Sequence, residues 1–242
     1  MVYVSLSCRK VWFIRRYFSM TAAAQIVESG FIRSGSRKAV LFAAACVPLM
    51  LVGCDSGPGR IAAPDVTPEG LAARIVGDYD ADGNGSVSEA ELEKVRSLTD
   101  RFAVYDADSS GELSASELET GLSRVFDGRT GVMGASCRVT RNGKPISGAI
   151  VYFVPEAFFD DALKVAGGIT AGSGEARMSI PIEDLPANAP QQTGLVQPGL
   201  YFVEVTHPSI PIPEKYNTKT ILGKEISPEI TIGGPIEVPL KF

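Results

Sequence analysis

The spacing of apolar positions divides the chain into three textures. The first is an unbroken apolar run, AVLFAAACVPLMLVG, at residues 39–53 behind Arg37 and Lys38. The second has helical spacing. Thr67-Pro68-Glu69 reads as a helix start, with Thr as N-cap, Pro at the first helical position and an acid in the first turn. Leu71, Ile75 and Tyr79 then recur every four residues and form one stripe. Leu92, Val95, Leu98, Phe102 and Tyr105 fall at spacings of three and four. They fit one bent helix, or two short ones with a break near Ser97–Thr99. Leu118, Leu122, Val125 and Phe126 share a face of a further helix. The segment DGRTGVMGAS, 127–136, ends this texture. From Cys137 onward short apolar runs alternate with Gly, Pro and Asn. RVT, ISGAIVYFV, GGITAGSGEARMSI, PGLYFVEVT, EITI and IEVPLKF read as six or seven strands of an antiparallel β-sandwich. The excursions at 181–198 and 208–217 are expected as loops. The expected fold is therefore multidomain α + β, a small helical module at 67–128 followed by a sandwich at 136–242.

Inside the helical texture lies an internal repeat. DADGNGSVSEAE (80–91) and DADSSGELSASE (106–117) superimpose position by position. Positions one, three and twelve carry Asp80, Asp82 and Glu91 in the first copy and Asp106, Asp108 and Glu117 in the second. Position five carries Asn84 or Ser110, position seven Ser86 or Glu112, and position nine Ser88 or Ser114. Such loops resemble the EF-hand. Calcium takes several oxygen ligands in a flexible shell, and alternate side chains of a tightly wound loop converge on one point. Glycine at position six, Gly85 or Gly111, permits the turn. Position seven is expected to act through its carbonyl alone. Ser88 with Glu91, and Ser114 with Glu117, also spell the S-x-x-E capping box, so each loop and its exiting helix share residues. Val87 and Leu113 at position eight are placed to pair the loops through a short antiparallel bridge. A competing frame starting at Asp78 would put Gly85 where the hydrophobe belongs. Asp78 and Glu89 are read instead as nearby charge. Two calcium ions are expected. Their removal is expected to melt residues 67–126 while the sheet region from Cys137 stays folded.

Charge supports this picture. Residues 1–53 carry seven Lys or Arg and one acid, Glu28. The remainder carries sixteen basic and twenty-seven acidic residues, a net charge of −11. A body so acidic excludes a nucleic-acid partner, because phosphate contact needs Lys and Arg.

The apolar run is too short to span a bilayer comfortably and suits the core of a signal peptide. It ends in LVGC, residues 51–54, which resembles the bacterial lipobox. The resemblance implies cleavage before Cys54, a lipid on its thiol and a membrane-anchored place in the cell envelope. Residues 1–53 are then the signal region. Residues 1–32 fit no processing signal, and Met20 makes a better initiator than Met1. Residues 54–66 become the lipidated cysteine and a Gly- and Pro-rich tether. With Cys8 and Cys46 removed, Cys137 stands alone and is read as a small buried apolar residue.

The run VTRNGKPISGAIVYFVPE resembles the opening of the carboxypeptidase regulatory-like domain, a transthyretin-like sandwich. Asn142, Gly143, Lys144, Pro145, Gly148, Ala149, Val154 and Pro155 carry the likeness. PGLYFVEV (198–205) resembles a strand of that family, and IPEKYNTKT (212–220) a segment common in planctomycete lipoproteins. The sequence departs from the family at ITAGSGEA, where Ala171 and Ala176 replace an Asp and an aromatic. The family implies a structural or recognition module whose partner is a protein or glycan of unknown identity. No catalytic residue is expected. His207 is the only histidine, and neither a nucleophile elbow nor a phosphate-binding glycine loop accompanies it. The alternative is an accessory subunit or domain of a calcium-dependent envelope hydrolase or carbohydrate-active enzyme.

Overall fold

The computed structural model describes residues 61–242 other than 62, 127, 129 and 130. The apolar run, the lipobox and Cys54 lie outside the described residues. Helix α1 spans Pro68–Tyr79, and Thr67 Oγ1 accepts from Gly70 N at 3.1 Å, as its cap signature predicts. The first acidic loop leads into strand β1 (Ser86–Ser88) and then a 3-10 turn over Glu91–Lys94. Helix α2 follows at Arg96–Tyr105, the second loop leads into β2 (Glu112–Ser114), and α3 runs Ala115–Phe126. The segment between the loops is therefore a 3-10 turn and one helix, broken at Val95 rather than at Ser97–Thr99. Leu92, Val95 and Leu98 are all fully buried, and the break lets the three point into one core. Leu71 and Ile75 of α1 and Leu118 and Leu122 of α3 complete that core.

The second half holds strands β3 (Met133–Arg141), β4 (Lys144–Pro145), β5 (Ile150–Pro155), β6 (Ala166–Ile169), β7 (Glu175–Met178), β8 (Leu195–Val196), β9 (Gly199–Thr206) and β10 (Gly223–Ile226). A short helix α4 (Pro228–Ile232) and β11 (Ile236–Leu240) close it. One sheet has the order β10-β9-β5-β6, antiparallel throughout. The other gathers β4, β7, β8 and β11 around β3. β11 runs parallel to β3, so this sheet is mixed and not wholly antiparallel as expected. Parallel pairing needs a long crossover, and here everything from β4 to α4 supplies it. Phe153, Val203 and Val205 of the first sheet and Cys137, Val139, Met178 and Val238 of the second belong to one buried core.

Two further departures have local causes. EITI was expected as a strand, yet Pro228–Ile232 is helical. Ser227 caps it by accepting from Ile230 N, Pro228 opens it and Glu229 sits in its first turn. Here the capping sequence outweighs the β-branched run. Gly223–Ile226, assigned to nothing in the sequence, forms β10 beside β9. The Asn142-Gly143 turn behaves as read. Both residues take positive φ, 48° and 79°, and Arg141 pairs with Lys144 across it.

Candidate metal centre

Each acidic loop winds its backbone around its first carboxylate. Asp80 Oδ1 accepts from Gly83 N at 2.8 Å and Asn84 N at 3.2 Å, and its Oδ2 accepts from Gly85 N at 2.8 Å. Asp106 repeats this with Ser110 N at 3.0 Å and Gly111 N at 3.0 Å. The winding needs left-handed backbone at position six, and Gly85 and Gly111 supply it with φ of 87° and 84°. Position four is also left-handed. The first loop has Gly83 there, at φ 76°, whereas the second has Ser109, at φ 59°.

The closing glutamates fold back over the loops. Glu91 Oε1 accepts from Ala81 N at 2.8 Å, and Oε2 accepts from Ser88 N at 2.8 Å and Ser88 Oγ at 2.7 Å. Glu117 makes the same set with Ala107 N at 2.9 Å, Ser114 N at 2.9 Å and Ser114 Oγ at 2.7 Å. The return bonds, Glu91 N to Ser88 Oγ at 3.4 Å and Glu117 N to Ser114 Oγ at 3.3 Å, complete the reciprocal pattern in both loops, but only the second caps a helix as expected, since the first precedes a 3-10 turn with Ala90 at its N-cap. The amide and hydroxyl of Ser88, with the amide of Ala81, hold the Glu91 carboxyl down at about 2. The Ser114 amide and hydroxyl lower Glu117, and the Ser110 hydroxyl and amide lower Asp108. These carboxyls stay charged across the physiological range, as a cation site requires.

The structure thus brings together Asp80, Asp82 and Glu91 in one group and Asp106, Asp108 and Glu117 in another, with carboxylate oxygens within 4.8 Å of one another in each. All donors are hard oxygens, the chemistry calcium prefers. The loops meet through an antiparallel bridge of Ser86↔Ser114, Val87↔Leu113 and Ser88↔Glu112, with Val87 and Leu113 fully buried. That is the pairing the position-eight residues predict.

The position-five and position-seven residues are less symmetric. Asn84 Oδ1 accepts from Ser86 N at 2.7 Å. Its Nδ2 donates to Asp82 Oδ2 at 3.3 Å and to Glu112 Oε1 at 3.3 Å. Ser110 Oγ instead donates to the Glu112 carbonyl at 3.1 Å. Position seven was expected to act through its carbonyl alone, but the Glu112 side chain reaches across to the other loop. Asp78 is turned away toward Arg74, 3.5 Å distant.

Residues 98–123 match the family model described as EF hand, which covers most of α2, the second loop and most of α3. No curated protein and no solved structure matches the chain. The match suggests calcium binding, and the two acidic groups are compatible with two sites. The first loop lies outside the match. It shares the bonds of the closing glutamate, Ala81 and Ser88 matching Ala107 and Ser114, but leaves through a 3-10 turn.

Away from the loops, the Cys137 thiol is buried and pushed up to about 12 by that burial. Its Sγ lies 3.5 Å from Met178 Sδ. His207 holds backbone on both nitrogens. Nδ1 accepts from Ser209 N and Ile210 N, each at 2.9 Å, which leaves Nε2–H to donate to Ser147 O at 2.9 Å.

Proposed function

We propose that the protein is a calcium-binding, exported lipoprotein in which calcium has a structural role and the sheet region serves as a partner-binding or structural module. The observation that carries the calcium reading is the closure of two three-carboxylate groups back to back across the Val87–Leu113 bridge. A structural role is favoured over a sensory one because exported surroundings hold calcium high enough to keep even weak sites filled. α1 lies along α3 with Leu71, Ile75, Leu118 and Leu122 buried between them. Occupancy at a hundred times the dissociation constant would add roughly 2.7 kcal/mol per site.

Isothermal titration of the full chain with calcium is the direct test. Two sites are expected, and Glu91→Gln with Glu117→Gln together should abolish the heat. A flat wild-type titration overturns the reading.

The envelope lipoprotein reading rests on LVGC behind a basic flank and an apolar run. Dual acylation gives stable anchoring where a single chain is marginal. Cys54→Ser should release the protein to the soluble fraction or block its processing. A variant that is cleaved normally and stays membrane-bound would rule the anchor out. The transthyretin-like reading of the sheets is supported by the Asn142-Gly143 hairpin and by Gly199 opening β9. We read the molecule as non-enzymatic, and turnover of pooled glycans, peptides or esters by the full chain would refute that.

A further inference from the structure

Helix α2 joins the two loops. It starts five residues after Glu91 and ends at Tyr105, immediately before Asp106. It has no N-cap of its own, since Val95 precedes it and offers no polar side chain. A ten-residue helix without a cap is marginal in isolation. The missing cap comes from the sheet. Glu156, which follows β5, accepts from Ser97 N at 2.9 Å and Ser97 Oγ at 2.8 Å through one carboxylate oxygen. Ser97 is the second residue of α2, the place where a capping acceptor belongs, and a carboxylate there also meets the positive end of the helix dipole.

The far end of α2 also meets the sheet, through long polar approaches rather than a cap. Tyr105 Oη lies 3.5 Å from Glu225 Oε2, and Arg101 Nε lies 3.6 Å from the same oxygen. Between them Lys224 Nζ pairs with Asp100 at 2.9 Å. Strand register puts Glu156, Leu200 and Glu225 in one row across β5, β9 and β10. Side chains alternate along a strand, so this row lies on the face opposite Tyr201 and Val203. All three residues are buried. Beside the row, a Cβ on Gly223 would overlap the carbonyl of Arg96 and the amide of Ser97, so helix and strand touch backbone to backbone.

We propose that the Glu156–Leu200–Glu225 row is a seat that caps and positions the helix linking the calcium loops, so that calcium occupancy and the order of β10 are one coupled equilibrium. The inference rests on the calcium reading above. Coupling of this kind is reciprocal. Removing the cap weakens calcium, and removing calcium loosens β10, which the isolated melting of 67–126 would not do.

The test uses the full chain and two readouts. In calorimetric titration, Glu156→Ala should weaken calcium binding by about two- to thirty-fold, the range that corresponds to loss of a helix cap. Ser97→Ala should give a smaller change in the same direction. In hydrogen exchange of the wild type, chelation should speed exchange across 221–227 and leave 236–240 unchanged. Folded Glu156→Ala with wild-type affinity, or chelation that accelerates only 67–126, overturns the proposal. The exchange experiment decides the matter without any variant should Glu156→Ala fail to fold. A wild-type chain that takes up no calcium removes the calcium reading itself, and the coupling with it.

Discussion

Gly121→Ala sets two effects of opposite sign against each other. Gly121 sits inside α3 with ordinary helical backbone, so alanine gains about 1 kcal/mol of helix propensity. Against this stands Tyr105. A Cβ at position 121 would lie 2.9 Å from the ring Cζ and closer still to Cδ1 and Cε1. The ring cannot easily retreat. It is 2% exposed, its hydroxyl faces Glu225, and the Arg124 guanidinium lies 5.9 Å from its centroid. Overpacking a closed core costs about 1–3 kcal/mol, and three ring atoms at 2.9 Å or closer place this clash in the upper half, about 2–3 kcal/mol, so it wins and the variant loses about 1–2 kcal/mol net. For a chain of this size each kcal/mol shifts Tm by about 2–4 °C. The assay is thermal melting by far-ultraviolet circular dichroism in saturating calcium. The decisive arm is the double variant. With Tyr105→Ala the obstructing ring is gone, and adding Gly121→Ala should now stabilise by up to about 1 kcal/mol. A change of the same sign in both backgrounds would refute the reasoning, as would stabilisation by Gly121→Ala alone.

Ser109→Gly should stabilise the second loop by about 1 kcal/mol in urea melts, because it relieves a left-handed serine where the first loop already has Gly83. Glu91→Gln and Glu117→Gln, made singly, should each lower affinity at one site by tenfold or more, on the order of 1.5–3 kcal/mol for a charged contact, read by titration calorimetry. Glu156 predicts a pH dependence of defined sign. Burial raises its carboxyl above the ordinary value of 4.5, partly offset by Ser97. Its contribution to stability is then full below pH 4.5 and declines as pH rises through the folded value. Glu156→Gln keeps an acceptor for Ser97 and removes the charge, so it should match wild type in acid and equal or exceed it at pH 7. A variant less stable at pH 7 than at pH 4, relative to wild type, would show that sign to be wrong.

The loops were legible because their chemistry is local. Twelve-residue spacing, a glycine in the left-handed position and a hydrophobe at position eight are fixed within one segment, and the structure places Val87 against Leu113 as that pattern requires. The helices flanking them were legible from apolar period and caps. The break before α2 lies at Val95, about two residues ahead of the Ser97–Thr99 position that the two-helix reading allows, because Ser97 does not interrupt the helix. It is instead the fully buried contact to Glu156. β10 was missed for a related reason. Gly223-Lys224-Glu225 lacks both alternation and β-branched residues, and its strand character comes from β9 on one side and α2 above it. The spacing of a single loop predicts only a carbonyl role for Glu112, because it gives no sign of what the neighbouring loop, through Asn84, offers the side chain.

Hydrophobic patterning made the helical region and the sheets look separable, because apolar stripes report burial within an element and are silent on polar contacts between elements. The junction is where that silence matters most. Glu156 and Glu225 stand in one buried row, and a buried carboxylate is costly unless every partner is in place. An apolar junction would accept α2 in several neighbouring registers at similar energy. Two carboxylates flanking Leu200 accept it in one, with Ser97 at one end and Tyr105 with Arg101 at the other. A slip of one residue along α2 would turn Ser97 away by about 100° and leave Glu156 without a donor. The polar row therefore trades adhesion for register, and register is what the loops need, since α2 sets the distance from the end of the first loop to Asp106.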